Sequence, residues 1–402
     1  MKILYVVPYP PSLIRVRPYN LIRFLGARGH QVTVATLWSN ESERRDAEAL
    51  RGECADVQTA AITRARSLAN CALALPTRTP LQAVYSWQPA FARKLRELAN
   101  TGFDVIQVEH LRGSQYALFL HRHCPTIPIV WDSVDCISLL FRWASQHSRS
   151  LFGRLLTRFE VGRTAHYEGH LLEPFQRVLV TSPIDRQALG ELARDPGSAA
   201  RIKVLSNGVD LDYFTPGDPA RRAPATIVVS GKMSYHANVT MVLYLVREIM
   251  PHVWPLRPDV RLQIVGKDPA PEIQALAAQQ GVEVLGAVPE IRPYLQQASV
   301  AVTPILYGVG IQNKVLEAMA CATPVVSTPQ AVSALQARAG QDVLVAAEPQ
   351  GFAQALLTLL DDPTRQRQIG NAGRYYVEKH HNWLNLAAEL EDIYQEIGTH
   401  EH

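Results

Sequence analysis

Cysteine is scarce and unpatterned in this chain of 402 residues. The five, Cys54, Cys71, Cys124, Cys136 and Cys321, are odd in number, widely spaced and never set as C-x-x-C. That excludes a disulfide framework and a cysteine zinc cluster, and it fits a reducing compartment. Long apolar runs are missing as well. The N-terminal ILYVV is broken off by Pro8, Pro10 and Pro11, and no stretch approaches the ~20 apolar residues of a membrane span. The expectation is a cytoplasmic protein without signal peptide or transmembrane helix. Aromatics make up only 7%, lysines number seven among the forty basic residues, and the formal net charge is +3. Nothing here has the strongly basic balance of a nucleic-acid binder, so no nucleic acid is expected as a partner.

What is present is an ordinary globular composition, with 19% charged residues and no low-complexity tract. A chain of 402 residues exceeds one hydrophobic core of usual size, so two domains are expected. Charge divides unevenly between them. Residues 1–195 hold 24 Arg and Lys against 17 Asp and Glu, and residues 196–402 hold 16 against 20. A basic front half suits an anionic surface or a phosphorylated partner as well as plain solvation. Short β-branched runs recur: KILYVVP (2–8), QVTVATL (31–37), DVIQVE (104–109), IPIVWD (127–132) and RVLVTS (177–182). Amphipathic segments lie between them. The rhythm restarts after residue 200 with KVLSN, TIVVSG, RLQIVG, VEVLG, SVAVTPI and PVVST. Strands alternating with helices predict an α/β class of two doubly wound, Rossmann-like domains. Their expected bounds are 1–197 and 198–378, with a hinge near DPGSAA and a closing helix over 379–402 that returns to the first domain.

Open parallel sheets bind ligands beyond the carboxyl ends of their strands, so the informative residues follow the apolar runs. In two facing domains those loops would border one cleft. The segment GVGIQNKVLEAMACATPVVST (308–328) is the most telling. Gly308 and Gly310 allow close backbone approach. Asn313 is expected to cap a helix that puts Lys314 and Glu317 on one face. A helix N-terminus beside a lysine favours a phosphate, and the glutamate suits vicinal hydroxyls of a sugar. A capped surface helix with a Lys–Glu ion pair at i, i+3 explains the same spacing.

GIQNKVLEAMACATPVVST, together with VLSNGVDLDYFTP (204–216), resembles the C-terminal signatures of family 4 glycosyltransferases, retaining enzymes of the GT-B fold. The likeness runs on through the YPP loop, GHQVTV, DVIQVEH, TSPIDRQAL and SGKM. It is most similar to the sugar transferases of bacterial exopolysaccharide synthesis. The resemblance implies a nucleotide-sugar donor bound by the second domain and a glycan, lipid-linked or other hydroxyl acceptor bound by the first. No cofactor and no metal are expected, since no strong metal-ligand spacing appears and a helix dipole plus a lysine can do that work in place of a metal. The resemblance puts Glu317 on the ribose, and Gly231, Lys232, Gly308, Gly310, Ile311, Gln312, Asn313 and Lys314 around the donor. In the family a second glutamate usually stands eight positions before the first. Here that position is Val309, and where a second lysine usually follows SGKM this chain has Ala237 and Asn238.

In the first domain the resemblance implies a histidine at the end of DVIQVEH near the reacting carbon. Registration places Glu109 there and His110 one residue later, and His110 is favoured; with Lys232 these are the expected catalytic residues. Where the family carries a Gly-Gly pair, this chain has Arg15 and Arg17, whose alternation in an extended loop aims both at a phosphate or an anionic acceptor. Asp132 and Asp135 are expected to meet acceptor hydroxyls. Residues 141–170 interleave arginine with Phe, Trp and Leu at helical spacing. That suits peripheral contact with an anionic membrane at its inner face, or a helix packed on its own sheet. A sugar-nucleotide epimerase and a degenerate, non-catalytic scaffold on the same fold are the competing functions.

Overall fold

The structure is a computed structural model that describes residues 1–12, 15–147, 151–307 and 310–398. It divides into two compact units, one of residues 1–206 with 383–402 and one of residues 207–382.

The first unit carries seven strands, β1 Lys2–Val7, β2 Gln31–Trp38, β3 Asp56–Ala61, β4 Val105–Glu109, β5 Ile129–Val134, β6 Arg177–Val180 and β7 Ile202–Val204. They lie in the order β3-β2-β1-β4-β5-β6-β7, and every pairing is parallel. Helices cover both faces, so the central strands are near-continuous apolar runs; β4 has no exposed residue. The boundary differs from the expected 197/198. The segment after Ala200 does not open the second domain but forms β7 at the edge of the first sheet, bonding to β6, which carries the first unit through Ser206. After the second unit the chain returns in helix Trp383–Gly398. It buries Trp383, Leu386, Leu390, Ile393 and Tyr394 with Ile3, Tyr5 and Val34 of the sheet.

The second unit has six strands, β8 Thr226–Ser230, β9 Arg261–Val265, β10 Val282–Gly286, β11 Val300–Thr303, β12 Val325–Ser327 and β13 Leu344–Val345. Their order is β10-β9-β8-β11-β12-β13. In each unit the strand order reverses beside the first strand, between β1 and β4 and between β8 and β11. That reversal opens a crevice at the carboxyl ends, where ligands settle in such sheets. Among the described residues no helix is long and apolar enough to cross a membrane.

Candidate functional site

In the second unit the crevice is built on two glycines. Gly231 follows β8 with φ 148° and Gly266 follows β9 with φ 152°, backbone that L side chains avoid. A Cβ on Gly266 would lie 1.7 Å from the Gly231 carbonyl oxygen, so only glycine lets the two strand ends meet. The Gly231 N–H donates to Val265 O at 3.1 Å. Behind this turn, Asn238 in helix His236–Tyr244 donates from Nδ2 to the Lys232 carbonyl at 3.0 Å. Its Oδ1 accepts from Lys314 Nζ at 3.0 Å. Lys314 thereby lies over Gly231, its Cε 3.3 Å from where a Gly231 Cβ would stand.

Lys314 comes from helix Asn313–Ala320, which follows β11. Its Nζ also reaches Gln312 Oε1 at 3.3 Å. Glu317 sits one turn along. Burial raises its carboxyl to about 7, against the pull of the Lys314 charge, and burial lowers the Lys314 ammonium to about 8. Two buried titratable groups with opposed shifts beside a strand-end crevice mark a candidate functional site. The cap differs from expectation. Gln312 occupies the N-cap position without a side-chain hydrogen bond, because the helix begins one residue early and makes Asn313 its first member. Asn313 Oδ1 is buried with no hydrogen-bond partner among the described residues. Gly310 has φ 72°, Ile311 packs on the core beneath the helix, and Lys232 is exposed beside the turn. Gly308 and Val309 lie outside the described residues.

In the first unit the crevice between β1 and β4 brings together Tyr9, Glu109 and His110. Glu109 is buried; its carboxylate accepts from Tyr9 OH at 3.0 Å and Tyr5 OH at 3.3 Å. Burial first, then the neighbouring Asp132 charge, pushes it up to about 8. It is a member of an interior network, not a group open to substrate. His110 is the first residue of helix His110–His123 and has φ 65°, a costly conformation for a side-chain-bearing residue. Burial lowers its imidazole to about 3, so it is neutral. Its Nδ1 accepts the Arg112 N–H at 3.2 Å, which leaves Nε2 to carry the proton. Neutral His110 can therefore offer a hydrogen bond from Nε2.

Two expected acceptor ligands are not available. Helix Val16–Ala27 starts at Val16, so Arg15 and Arg17 do not alternate as in an extended loop. Arg17 turns inward, pairs with Asp132 at 2.9 Å, and both side chains are almost fully buried. Arg17 also donates to the carbonyls of Leu205 and Ser206 at 3.0 Å. This pair fixes strand ends and cannot hold an acceptor. Arg15 faces out over the Tyr9 ring and bonds Glu43 at 2.8 Å. Asp135 accepts from Thr181 OH at 3.2 Å, and burial raises it to about 7.

Asn238, Gly266 and Tyr9 line the two crevices and were not revealed by the motifs. The only sequence signal for Asn238 was its place where the family keeps a lysine.

A family model described as Glycosyltransferase Family 4 matches residues 15–213, and one described as Glycosyl transferases group 1 matches residues 224–362. Alpha-maltose-1-phosphate synthase of Mycolicibacterium smegmatis is 29% identical over half of this chain and 58% of its own length. A GDP-mannose-dependent monoacylated alpha-(1-6)-phosphatidylinositol monomannoside mannosyltransferase of Corynebacterium glutamicum is 27% identical over 50% and 57%. The match thus spans little more than half the length of these relatives. Among solved structures, Anabaena HepE in complex with UDP and glucose superposes with a TM-score of 0.71 at 14% identity, covering 98% of this chain and all of that one. Sucrose-phosphate synthase from Thermosynechococcus elongatus gives 0.71 at 18%, covering both chains fully. With its two units matched in turn by models of one family, the chain belongs to the family 4, group 1 glycosyltransferases and has their GT-B fold.

Proposed function

We propose that this protein is a retaining glycosyltransferase that moves a sugar from a nucleotide-sugar donor to a hydroxyl acceptor in bacterial cell-surface or exopolysaccharide synthesis. The observation that carries this reading is the seating of Lys314 on Asn238 over the Gly231 turn, one helical turn from Glu317. A diphosphate at that turn would meet a fixed ammonium and free helix-end amides, and these stabilise the charge that grows as the sugar's anomeric bond to phosphate breaks. Glu317 is the ribose ligand, and Lys232 and Gly310 complete the phosphate side. No metal is required, because Lys314 and Lys232 supply the positive charge. The acceptor belongs to the first unit, with Nε2 of His110 directed to the sugar and Arg15 and Asp135 to the acceptor. Leu155, Leu156 and Phe159, 68%, 41% and 47% exposed, support contact of helix Leu151–Leu171 with an anionic membrane at its inner face.

UDP in the HepE complex and GDP-mannose in the name of the Corynebacterium relative make UDP and GDP the first nucleotides to try. A ligand that binds only the folded state raises its stability, by about 2.7 kcal/mol at a hundredfold excess over Kd. One nucleoside diphosphate should raise the melting temperature of the wild type and not that of Glu317→Ala. No shift with any nucleoside diphosphate would refute the donor site. The non-catalytic reading draws on Val309 and on the missing second lysine. It predicts nucleotide binding without consumption of the sugar, whereas release of nucleoside diphosphate from a nucleotide sugar on adding acceptor excludes it.

A further inference from the structure

The first unit contains a cavity of about 250 Å³ that the donor chemistry does not use. Leu81, Tyr85, Phe141 and Leu156 give it apolar walls, and its polar lining is Gln82, Arg112, Thr157 and Glu160. Gln82 and Arg112 each hold a buried atom without a hydrogen-bond partner among the described residues, Oε1 and Nε. The Arg112 guanidinium lies 5.0 Å over the Tyr85 ring and forms no ion pair among the described residues. The lining acid, Glu160, is already engaged: it accepts the Leu81 N–H at 2.8 Å and pairs with Arg163 at 3.2 Å. Leu156, on the wall, is itself 41% exposed, so the cavity opens at the surface of helix Leu151–Leu171.

That surface is unusual in two ways at once. Helix Arg64–Ala74 exposes Ala65, Leu68, Ala69, Ala72 and Leu73, an i, i+3, i+4, i+7, i+8 stripe that points an apolar face outward. Its C-terminal end meets helix Leu151–Leu171, where Arg163 donates to the Ala74 carbonyl at 2.7 Å. In addition, no Asp or Glu occurs between Asp56 and Glu97 or between Asp135 and Glu160, while Arg64, Arg66, Arg78, Arg142 and Arg158 do. An apolar cavity whose one lining acid, Glu160, is held by Arg163 and the Leu81 amide, and which keeps the Arg112 guanidinium without an ion pair among the described residues, is complementary to a chain-bearing anion.

We propose that this cavity holds the apolar chain of an alkyl or prenyl phosphate, with the Arg112 guanidinium on its phosphate. The inference rests on the transferase reading, for which it names the acceptor class as a lipid phosphate or its glycosylated form. Arg112 stands two residues beyond His110, and its amide bonds that imidazole. The polar end of a chain held here therefore lies by the helix turn that carries the proposed sugar-facing residue.

Dodecyl phosphate below its micelle concentration is the probe, titrated calorimetrically into the full chain beside dodecanol and inorganic phosphate. Saturable binding of dodecyl phosphate, at least tenfold tighter than either control, is expected. Leu156→Trp should fill the cavity and abolish it, and Arg112→Gln should reduce dodecyl phosphate to the affinity of dodecanol. Cys71, which also lines the cavity, should be protected from maleimide by the probe while Cys54 is not; this places the ligand without any variant having to fold. Equal binding of inorganic phosphate, protection of neither cysteine, or binding only to anionic vesicles would overturn the proposal. Donor consumption is followed separately. Sugar release without dodecyl phosphate binding would remove the cavity and keep the transferase, and binding without sugar release would keep the cavity and remove the transferase.

Discussion

Lys314 is the residue whose chemistry can be dated by pH. Its ammonium is lowered to about 8 by burial, so in the ligand-free protein the charged form is disfavoured. A lysine with a depressed pKa binds its proton less well folded than unfolded, so its burial costs stability below about 8 and the cost fades as pH rises toward its ordinary value. A diphosphate reverses that preference by pairing the ammonium. Nucleoside diphosphate affinity should therefore fall by up to about tenfold per unit above pH 8 and lose that limb in Lys314→Gln; a fall that persists in the variant would assign it to another group. Glu317 has the opposite sign. With its folded pKa raised to about 7 by burial, it costs stability as pH rises from its ordinary value to 7. Glu317→Gln should gain on the wild type over that window by on the order of 1–3 kcal/mol, seen as a melting-temperature gap that opens between pH 4.5 and 7. His110 tests strain. Its φ of 65° suits glycine, so His110→Gly should melt above His110→Ala by about 1 kcal/mol while both lose the donor to the sugar and with it about a hundredfold or more of sugar transfer. Equal stabilities would remove the strain argument. Gly231, Lys314 and Glu317 were legible because each is defined by its neighbours in sequence. The bond from Lys314 to Asn238 spans 76 residues and the Arg17–Asp132 bond spans 115, so no local pattern could reveal either. Arg17 was misplaced for a local reason, since an extended loop and a helix start send alternate residues to different sides.

At the level of elements, the donor crevice depends on two strand ends touching backbone to backbone. Gly266 adds no group to the site, yet it governs the site's shape. A methyl there would have to push the Gly231 carbonyl away, dragging with it the turn that Lys314 and Asn238 grip. Gly266→Ala should abolish nucleoside diphosphate stabilisation and lower the melting temperature of the second unit. Unchanged nucleotide binding would show that the turn tolerates the shift. Most of the strands that the sequence announced are central and buried, because burial on both faces makes a parallel strand a continuous apolar run, while β7 and β10 showed through as short β-branched runs at sheet edges. β3, DVQTAA, escaped notice because it is a sheet edge that keeps Asp56, Gln58 and Thr59 partly solvated. β7 was visible but assigned to the wrong sheet, since three residues carry no information about which neighbour will bond them.

For the whole molecule, the helix Trp383–Gly398 makes chain order and domain order differ. It closes one face of the first sheet, and its Tyr394 hydroxyl donates to Gln107 Oε1 inside the network of Tyr5, Glu109 and Asp132. Arg28 donates to Glu391 at 2.7 Å, tying the helix to Val16–Ala27. The network that orients the end of β4, and so His110, is thus completed by residues almost three hundred positions away. A chain ending at Asn382 would expose Ile3, Tyr5 and Val34 to water, and burying large apolar side chains contributes about 1.5–3 kcal/mol each. Such a truncation should lose the calorimetric transition of the first unit and any acceptor-dependent turnover. The second unit, residues 207–382, holds its own apolar core, so its transition should survive and still shift with nucleoside diphosphate. Loss of both transitions together would mean that the units do not fold independently, and survival of both would mean that the first sheet stands without its returning helix.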